Sequence, residues 1–265
     1  MTANIYSVVR TDDSGRSGYH ALQSHYERRL SHGIAANLSY TWGHSIDTNS
    51  SDTATYVPGV FEPPLSRADS DFDIRQLLHG AFSWNLQLVH GPAAIRALTA
   101  GWGLDGILTA QTGLPVNVTV TRDIGFGSYD FRPDLVGGVP EWINDPSVVG
   151  GRRINPAALV VPISPVQGNL GRNAFRGFNL VQTDLSVRRS FGVTDKTSLT
   201  FRADLFNALN HPNFANPISV IGSGLFGIST ASVANSQVGG GAFGQNSVFN
   251  IGGRRAVQVS LKLQF

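Results

Sequence analysis

Residues 254–265 at the end of the chain read RRAVQVSLKLQF and decide the fold. From residue 257 onward every second position is apolar, and the positions between them are polar. The apolar positions are Val257, Val259, Leu261, Leu263 and Phe265. A period of two is typical of a β-strand with one apolar face. Chain ends normally fray, and an apolar stripe at the end of a chain is unfavourable in water, so something must cover this stripe.

The composition indicates an all-β protein. Of the 265 residues, 41% are apolar and only 14% are charged, below the roughly 25% that is typical of soluble domains. Glycine is abundant at 30 residues, whereas glutamate and lysine, which usually cover helix surfaces, are scarce. The net charge is only +2 and no basic stripe is interleaved with aromatics, so we expect no nucleic-acid partner.

Alternation recurs in segment after segment and predicts about eight strands. They lie near residues 4–10 (the weakest), 18–30, 33–46, 74–88, 101–112, 179–191, 198–209 and 257–265. In the segment 101–112 the pattern has one exception, Ile107, which is apolar on the otherwise polar face. Most segments have the roughly 9–11 residues that a membrane-spanning strand needs.

The connections alternate between short and long. Residues 31–32, 90–100 and 192–197 form the shorter links, and residues 11–17, 47–72, 113–177 and 210–250 form the longer ones. In an up-and-down antiparallel sheet this order places all long loops at one end, as in an outer-membrane barrel with long outer loops and short inner turns. A soluble β-sandwich is the alternative, because alternation alone also fits a sheet that packs on a core.

Several stretches resemble TonB-dependent outer-membrane receptors of the Oar-like group. They are SGYHALQSHYERRLSHGIAANLSYTWGHSID (17–47), GWGLDGILTAQTGLPVNV (101–118), GNLGRNAFRGFNLVQTDLSVRRSF (168–191), LTFRADLFNALNHPNF (199–214) and VQVSLKLQF (257–265). These stretches occur in the order of the family and cover most of the chain. The last one resembles the C-terminal signal that the barrel assembly machinery reads, which assigns this role to Val257, Val259, Leu261, Leu263 and Phe265.

The resemblance implies a complete barrel of about twenty-two strands that an N-terminal plug fills. None of these stretches resembles the plug, the coupling box or a signal peptide, so residues 1–265 are expected to be the C-terminal part of such a barrel, with plug and signal peptide absent. A fragment of this kind should form an open, curved sheet. Its implied partners are outer-membrane lipid, the barrel assembly machinery and, only through the missing plug, a TonB-type energy coupler. The implied location is the bacterial outer membrane.

No catalytic, cofactor-binding or metal site is predicted. Cysteine is absent, and no histidine has a carboxylate at a spacing typical of metal ligands. The acidic stretches DTNSSDTAT (47–55) and RADSDFD (67–73) offer oxygen atoms to calcium but lack the order of a calcium loop, which favours solvated loops. Asp184, Arg188, Arg202 and Asp204 are expected to face the lumen.

The predicted function is therefore energy-coupled uptake of an unidentified substrate by a receptor of which this chain is the barrel segment. No chemistry on the substrate is expected, so the protein is not predicted to be an enzyme. The alternative is an outer-membrane surface-binding or adhesive β-protein that does not transport.

Overall fold

The computed structural model describes residues 15–50, 67–86, 92–125, 127–237 and 251–265. The weak strand predicted near residues 4–10 lies outside the described residues. In chain order the strands are β1 (Ser17–Ser31), β2 (Ile34–Asp47), β3 (Ala68–Asp69), β4 (Gln76–Asn85), β5 (Trp102–Gln111), β6 (Pro115–Val116), β7 (Val120–Asp123), β8 (Ser128–Phe131), β9 (Asp134–Leu135), β10 (Trp142–Asn144), β11 (Arg152–Ile154), β12 (Leu159–Val160), β13 (Phe175–Arg176), β14 (Leu180–Thr194), β15 (Thr197–Phe206) and β16 (Ala256–Gln264).

Eight strands form one antiparallel sheet, here called the wall. Its order is β1-β2-β4-β5-β14-β15-β16, and the two-residue strand β3 pairs with the end of β2. The seven long strands coincide with seven of the predicted segments to within a few residues. The all-β antiparallel prediction is thus confirmed, with β3 as an eighth strand that the sequence pattern did not indicate.

The pairing register places the apolar positions of successive strands side by side. One row runs through Ala36, Phe82, Gly106, Leu185, Leu205 and Val257, and the next row runs through Ala35, Ser83, Asp105, Ser186, Asp204 and Gln258. Since neighbouring residues of a strand point to opposite faces, the wall has one apolar and one polar face. A slip of one residue in any pair would reverse that strand's faces.

The apolar face has no covering layer among the described residues. Large side chains on it, such as Leu22, Tyr26, Trp42, Val259 and Leu261, are exposed. In a β-sandwich these positions would pack against a second sheet and be buried. The sandwich alternative is therefore inconsistent with the described part of the chain, and an apolar surface of this extent needs a lipid or protein environment.

The long connections all lie at one end of the wall, which we call the loop end. At the opposite end, the turn end, β1 joins β2 through His32 and Gly33, both in the left-handed region, and β14 joins β15 through residues 195–196. The β4–β5 connection, also at the turn end, contains helix α1 (Ala93–Thr99). A second helix, α2 (Val233–Gln237), belongs to the loop end. Across the described residues, no helix combines the length and the apolarity that a membrane crossing demands.

The wall is an open sheet, as predicted. Strands β1 and β16 lie at opposite ends of its order, and the described residues contain no pairing between them. Seven long antiparallel strands are an odd number, so β1 and β16 both run from the loop end towards the turn end. Direct pairing of these two edges would be parallel, and an all-antiparallel closed barrel requires an odd number of further strands between them.

The two longest connections fold into a packed unit at the loop end, which we call the cap (residues 112–125, 127–179 and 207–237). Four two-stranded sheets occur in it, β6–β13, β7–β8, β9–β12 and β10–β11. Its apolar core consists of Val116, Val118, Ile154, Leu170 and Phe175. The Gly-rich stretch at 125–130 enters β8 from Ser128 onward.

Candidate functional site

Opposite charges concentrate where the cap meets the end of β2. We call this group the ionic layer: His44, Asp47, Asp69, Asp71, Asp73, Arg75, Arg172 and Arg176. Three segments supply it, namely the end of β2, the stretch 67–75 before β4, and the stretch 172–176 of the cap. The pairing of β3 with the end of β2 brings the first two segments together.

Arg172 and Asp47 form the ion pair of the ionic layer in which both partners are buried. The Arg172 side chain is 8% exposed and pairs with the Asp47 carboxylate, which is 4% exposed. It also donates to Ser50 Oγ at 3.1 Å and to Asp71 Oδ1 at 2.9 Å. Charge-assisted hydrogen bonds of this kind are about twice as strong as neutral ones. Arg172 therefore ties the cap to the end of the wall.

Asp73, with a side chain only 1% exposed, holds the second part of the layer. Its carboxylate accepts from the Ser45 N–H at 2.6 Å, pairs with Arg75 Nε at 2.9 Å and contacts Arg176. Burial raises the pKa of the Asp73 carboxyl, but the bond from Ser45 and the pairing with Arg176 outweigh it, so the pKa lies below its usual value.

A histidine and two carboxylates converge in the same place. Ligand atoms of His44, Asp69 and Asp73 lie within 4.8 Å of one another, and His44 Nδ1 is 3.4 Å from Asp73 Oδ1. Spacing along the sequence does not indicate this group, because strand pairing brings His44 beside carboxylates that are distant in sequence. Both carboxylates already bind the guanidinium groups of Arg75 and Arg176, so the arrangement is a salt-bridge network.

The acidic stretches are ordered where the structure describes them. Ser70 and Asp73 in the stretch 67–73 are buried, and Asp47 and Thr48 at the start of the stretch 47–55 are buried as well. The interpretation of these residues as solvated loop is therefore wrong. Residues 51–55 lie outside the described residues. The acidic side chains serve as partners of cap arginines.

Asparagines fix the other long connection to the wall. Asn207, buried and with φ of 47°, donates to the carbonyls of His211 and Gly253, and Asn213 bonds to both the N–H and the carbonyl of Val181. Asn216 donates to the Pro115 carbonyl. The stretch 207–217 therefore has a structural role, and its prolines, which cannot donate to a strand ladder, lie beyond the end of β15 at Phe206.

The polar face carries a separate charge network. Arg188 Nε is 3.0 Å from Asp105 Oδ2, Arg188 Nη2 is 2.6 Å from Asn85 Oδ1, and Ser83 Oγ donates to Asp105 at 2.6 Å. Gly103 lies beneath the guanidinium, and a Cβ there would be 2.5 Å from Arg188 Cζ. Glycine thus allows the arginine to lie flat across β5.

The four residues predicted to face the lumen all lie on this polar face. Arg188 and Arg202 lie opposite each other in the register of β14 and β15. Arg202 Nε donates to Asp204 at 2.7 Å. Asp184 accepts from Gln182 and from the Asn207 N–H. A wall with paired charges on one face and bare apolar side chains on the other fits a sheet between water and lipid.

A family profile agrees with this two-faced wall. The profile described as outer membrane beta barrel domain matches residues 2–257. The chain belongs to this outer membrane beta-barrel family. Comparisons with curated proteins and with solved structures give no match. Family membership indicates an outer-membrane location, in which the apolar face of the wall contacts lipid.

In this outer-membrane barrel wall, the predicted assembly-signal residues lie on the last strand. Val257, Val259, Leu261 and Leu263 are exposed on the apolar face of β16, and Phe265 follows the end of the strand. Strand β16 pairs on one side with β15, and its other side is an edge of the described sheet. The position is suitable for recognition by an assembly factor, and that role remains a prediction.

Protonation of Asp73 in acid should release the cap from the wall of the barrel. The usual pKa of an aspartate is about 4. A carboxylate whose pKa is lowered by folding contributes its whole stabilisation above that pH and loses it as the pH falls through the lowered pKa. Near-ultraviolet circular dichroism of the cap aromatics should therefore stay constant from pH 8 to about pH 5 and change only in more acidic solution. A transition centred near pH 6.5, typical of histidine, would contradict control by Asp73.

Proposed function

We propose that the chain is the C-terminal barrel portion of a TonB-dependent receptor of the Oar-like group that takes up a substrate across the outer membrane. The cap and the other outer loops capture the substrate. Passage follows when a plug, which belongs to the remainder of the receptor, moves under energy from the inner membrane. The chain performs no chemistry on the substrate. The motifs that resemble this group, and their positions on the wall strands and at the cap, support the proposal.

The edges of the wall are the observation that carries the proposal. Lipid does not tolerate unpaired strand edges, so β1 and β16 require partners in the membrane. Because both edges run in the same direction, the missing partners are an odd number of strands. A receptor barrel with many more strands meets this requirement, and so does a single strand such as the one predicted near residues 4–10. The resemblance favours the larger barrel.

An antibody against the cap tests the proposal on native outer membranes. A receptor should give a band several times heavier than the 265-residue chain, and its mobility should change on heating, as is usual for a folded barrel. Cross-linking in cells should join this band to the TonB-type energy coupler. A band at the mass of the chain itself, with no link to the coupler, would contradict the receptor proposal.

A surface-binding role is the second candidate, and an exposed cap segment favours it. Val160, Ile163 and Val166 project from the cap, and Ile163 is fully exposed. Arg122 fixes this segment by donating to the carbonyls of Pro162 and of the two residues that follow it. If adhesion is the function, loss of the gene should weaken attachment of cells to surfaces and leave uptake of nutrients unchanged.

A further inference from the structure

Two arginines of the described strands lie on the apolar face of the wall, namely Arg28 in β1, which pairs with Ala36, and Arg189, which has aromatic rings beside it. Arg189 in β14 pairs with Trp102 in β5 and with Phe201 in β15, and both partners belong to the apolar face. Its neighbour Arg188 points to the polar face. A positive charge on the lipid side of a barrel is unusual and needs a physical reason.

Aromatic rings frame the guanidinium group of Arg189. Its Cζ lies 5.0 Å from the centroid of the Trp102 ring and 4.6 Å from that of Phe191. On a lipid-facing surface, arginine costs about 2–4 kcal/mol at the bilayer midplane and about 0–1 kcal/mol near the interface. Aromatic residues also concentrate at the interface. Arg189 therefore marks the level of the lipid headgroups at the turn end.

Helix α1 lies on the same side of the wall and near the same level. Trp102 Nε1 donates to the Leu98 carbonyl at 2.8 Å, which places the end of α1 beside a residue of the apolar face. Ile95 and Leu98 on this helix are exposed, the latter at 68%. Apolar side chains that would be unfavourable in water are favourable for a helix lying in a membrane interface.

We propose that Arg189, Trp102, Phe191 and α1 form a binding site for the phosphate headgroup of an anionic phospholipid in the leaflet at the turn end. The planar guanidinium matches phosphate oxygens with two parallel hydrogen bonds, and the rings hold its plane. Ile95 and Leu98 of α1 contact the adjacent acyl chains. The site continues the lipid-facing surface, and Arg96 on α1 adds a second positive charge. The nearby turn at 195–196 contributes one charge of each sign.

The lipid that stays bound to the purified protein tests this site, and the measurement does not depend on transport. Protein extracted from outer membranes is reconstituted in mixed vesicles of phosphatidylglycerol and phosphatidylcholine. Native mass spectrometry then gives the ratio of the two lipids that remain bound. The Arg189→Gln variant should lower this ratio about fivefold, which corresponds to about 1 kcal/mol for one arginine at an anionic surface. Arg189→Lys should give an intermediate ratio, because it keeps the charge and loses the planar fork.

Arg202→Gln is the matched control, because it removes an arginine of the neighbouring strand from the polar face. Its lipid ratio should equal that of the wild type. Heat-dependent gel mobility verifies that each variant is folded. If Arg189→Gln does not fold, the lipid ratio of Arg189→Lys is compared with that of the wild type instead. Equal ratios for wild type and Arg189 variants would overturn the proposal. Displacement of the lipid by inorganic phosphate alone would also overturn it, since the acyl-chain contacts would then contribute nothing.

Discussion

Replacing Arg172 by methionine is expected to detach the cap from the wall at a cost of about 3–5 kcal/mol, the range for breaking one side of a buried ion pair. The substitution keeps the apolar volume and leaves the carboxylate of Asp47, which is 4% exposed, without its guanidinium partner. It also removes the donors to Ser50 and Asp71. Hydrogen exchange in the cap should become faster by orders of magnitude, while exchange in the wall strands stays slow.

Two further variants separate the buried pair from a general loss of charge. Arg202→Met removes an exposed pair with Asp204 and should cost only about 0–1 kcal/mol. The double variant Asp47→Asn with Arg172→Met should recover part of the loss, because no unpaired carboxylate remains. Exchange rates in the cap that do not change in Arg172→Met would contradict the role of the ionic layer as the link between cap and wall.

Arginine at position 108 is expected to destabilise the protein in membranes by about 2–4 kcal/mol, because Leu108 lies on the lipid-facing side near the middle of β5. The adjacent residue provides the control. Ile107 is 55% exposed on the polar face and pairs with Asp184, so arginine there should change stability by no more than about 0.5 kcal/mol.

Urea unfolding in vesicles, followed by tryptophan fluorescence, compares these two neighbouring substitutions directly. The expected order is a large loss for Leu108→Arg and almost none for Ile107→Arg. Equal losses for both variants would mean that both faces contact the same medium. The assignment of a lipid face and a water face would then be wrong.

The wall could be predicted from the sequence because its signal is local. Alternation within each strand decides which residues share a face, and the order of short and long connections decides where the loops lie. Ile107 is an example. Although its side chain is apolar, it lies on the polar face, as its place in the alternation predicts. The pairing of neighbouring strands then follows from matching apolar stripes across short turns.

The ionic layer could not be predicted, because its partners are far apart along the chain. Arg172 reaches Asp47 across 125 residues, and Arg176 reaches Asp73 across 103. Neither distance has a periodic signal. The sequence did contain one clue, namely the concentration of aspartates at 67–73 and of arginines at 172–176, which complement each other in charge. It does not say which carboxylate meets which guanidinium.

The cap was missed for a different reason. Its strands are two to four residues long, too short for alternation to be distinguished from chance. Glycine and proline, which usually indicate loops, occur in it at turns between these short strands. Its core depends on few residues, such as Ile154 and Phe175, that meet only when the whole connection folds. Composition therefore indicated a loop where a packed unit exists.

The most direct test of the lipid-facing wall is spin labelling along β5 in outer-membrane vesicles. The 265 residues contain no cysteine, so single cysteines at positions 104–111 can be labelled without background from these residues. We expect that collision with oxygen, which dissolves in lipid, is highest at positions 104, 106, 108 and 110. Collision with a water-soluble nickel chelate should be highest at the positions between them. Labels at 104–110 that are shielded from both reagents would contradict a membrane wall and indicate a packed protein core.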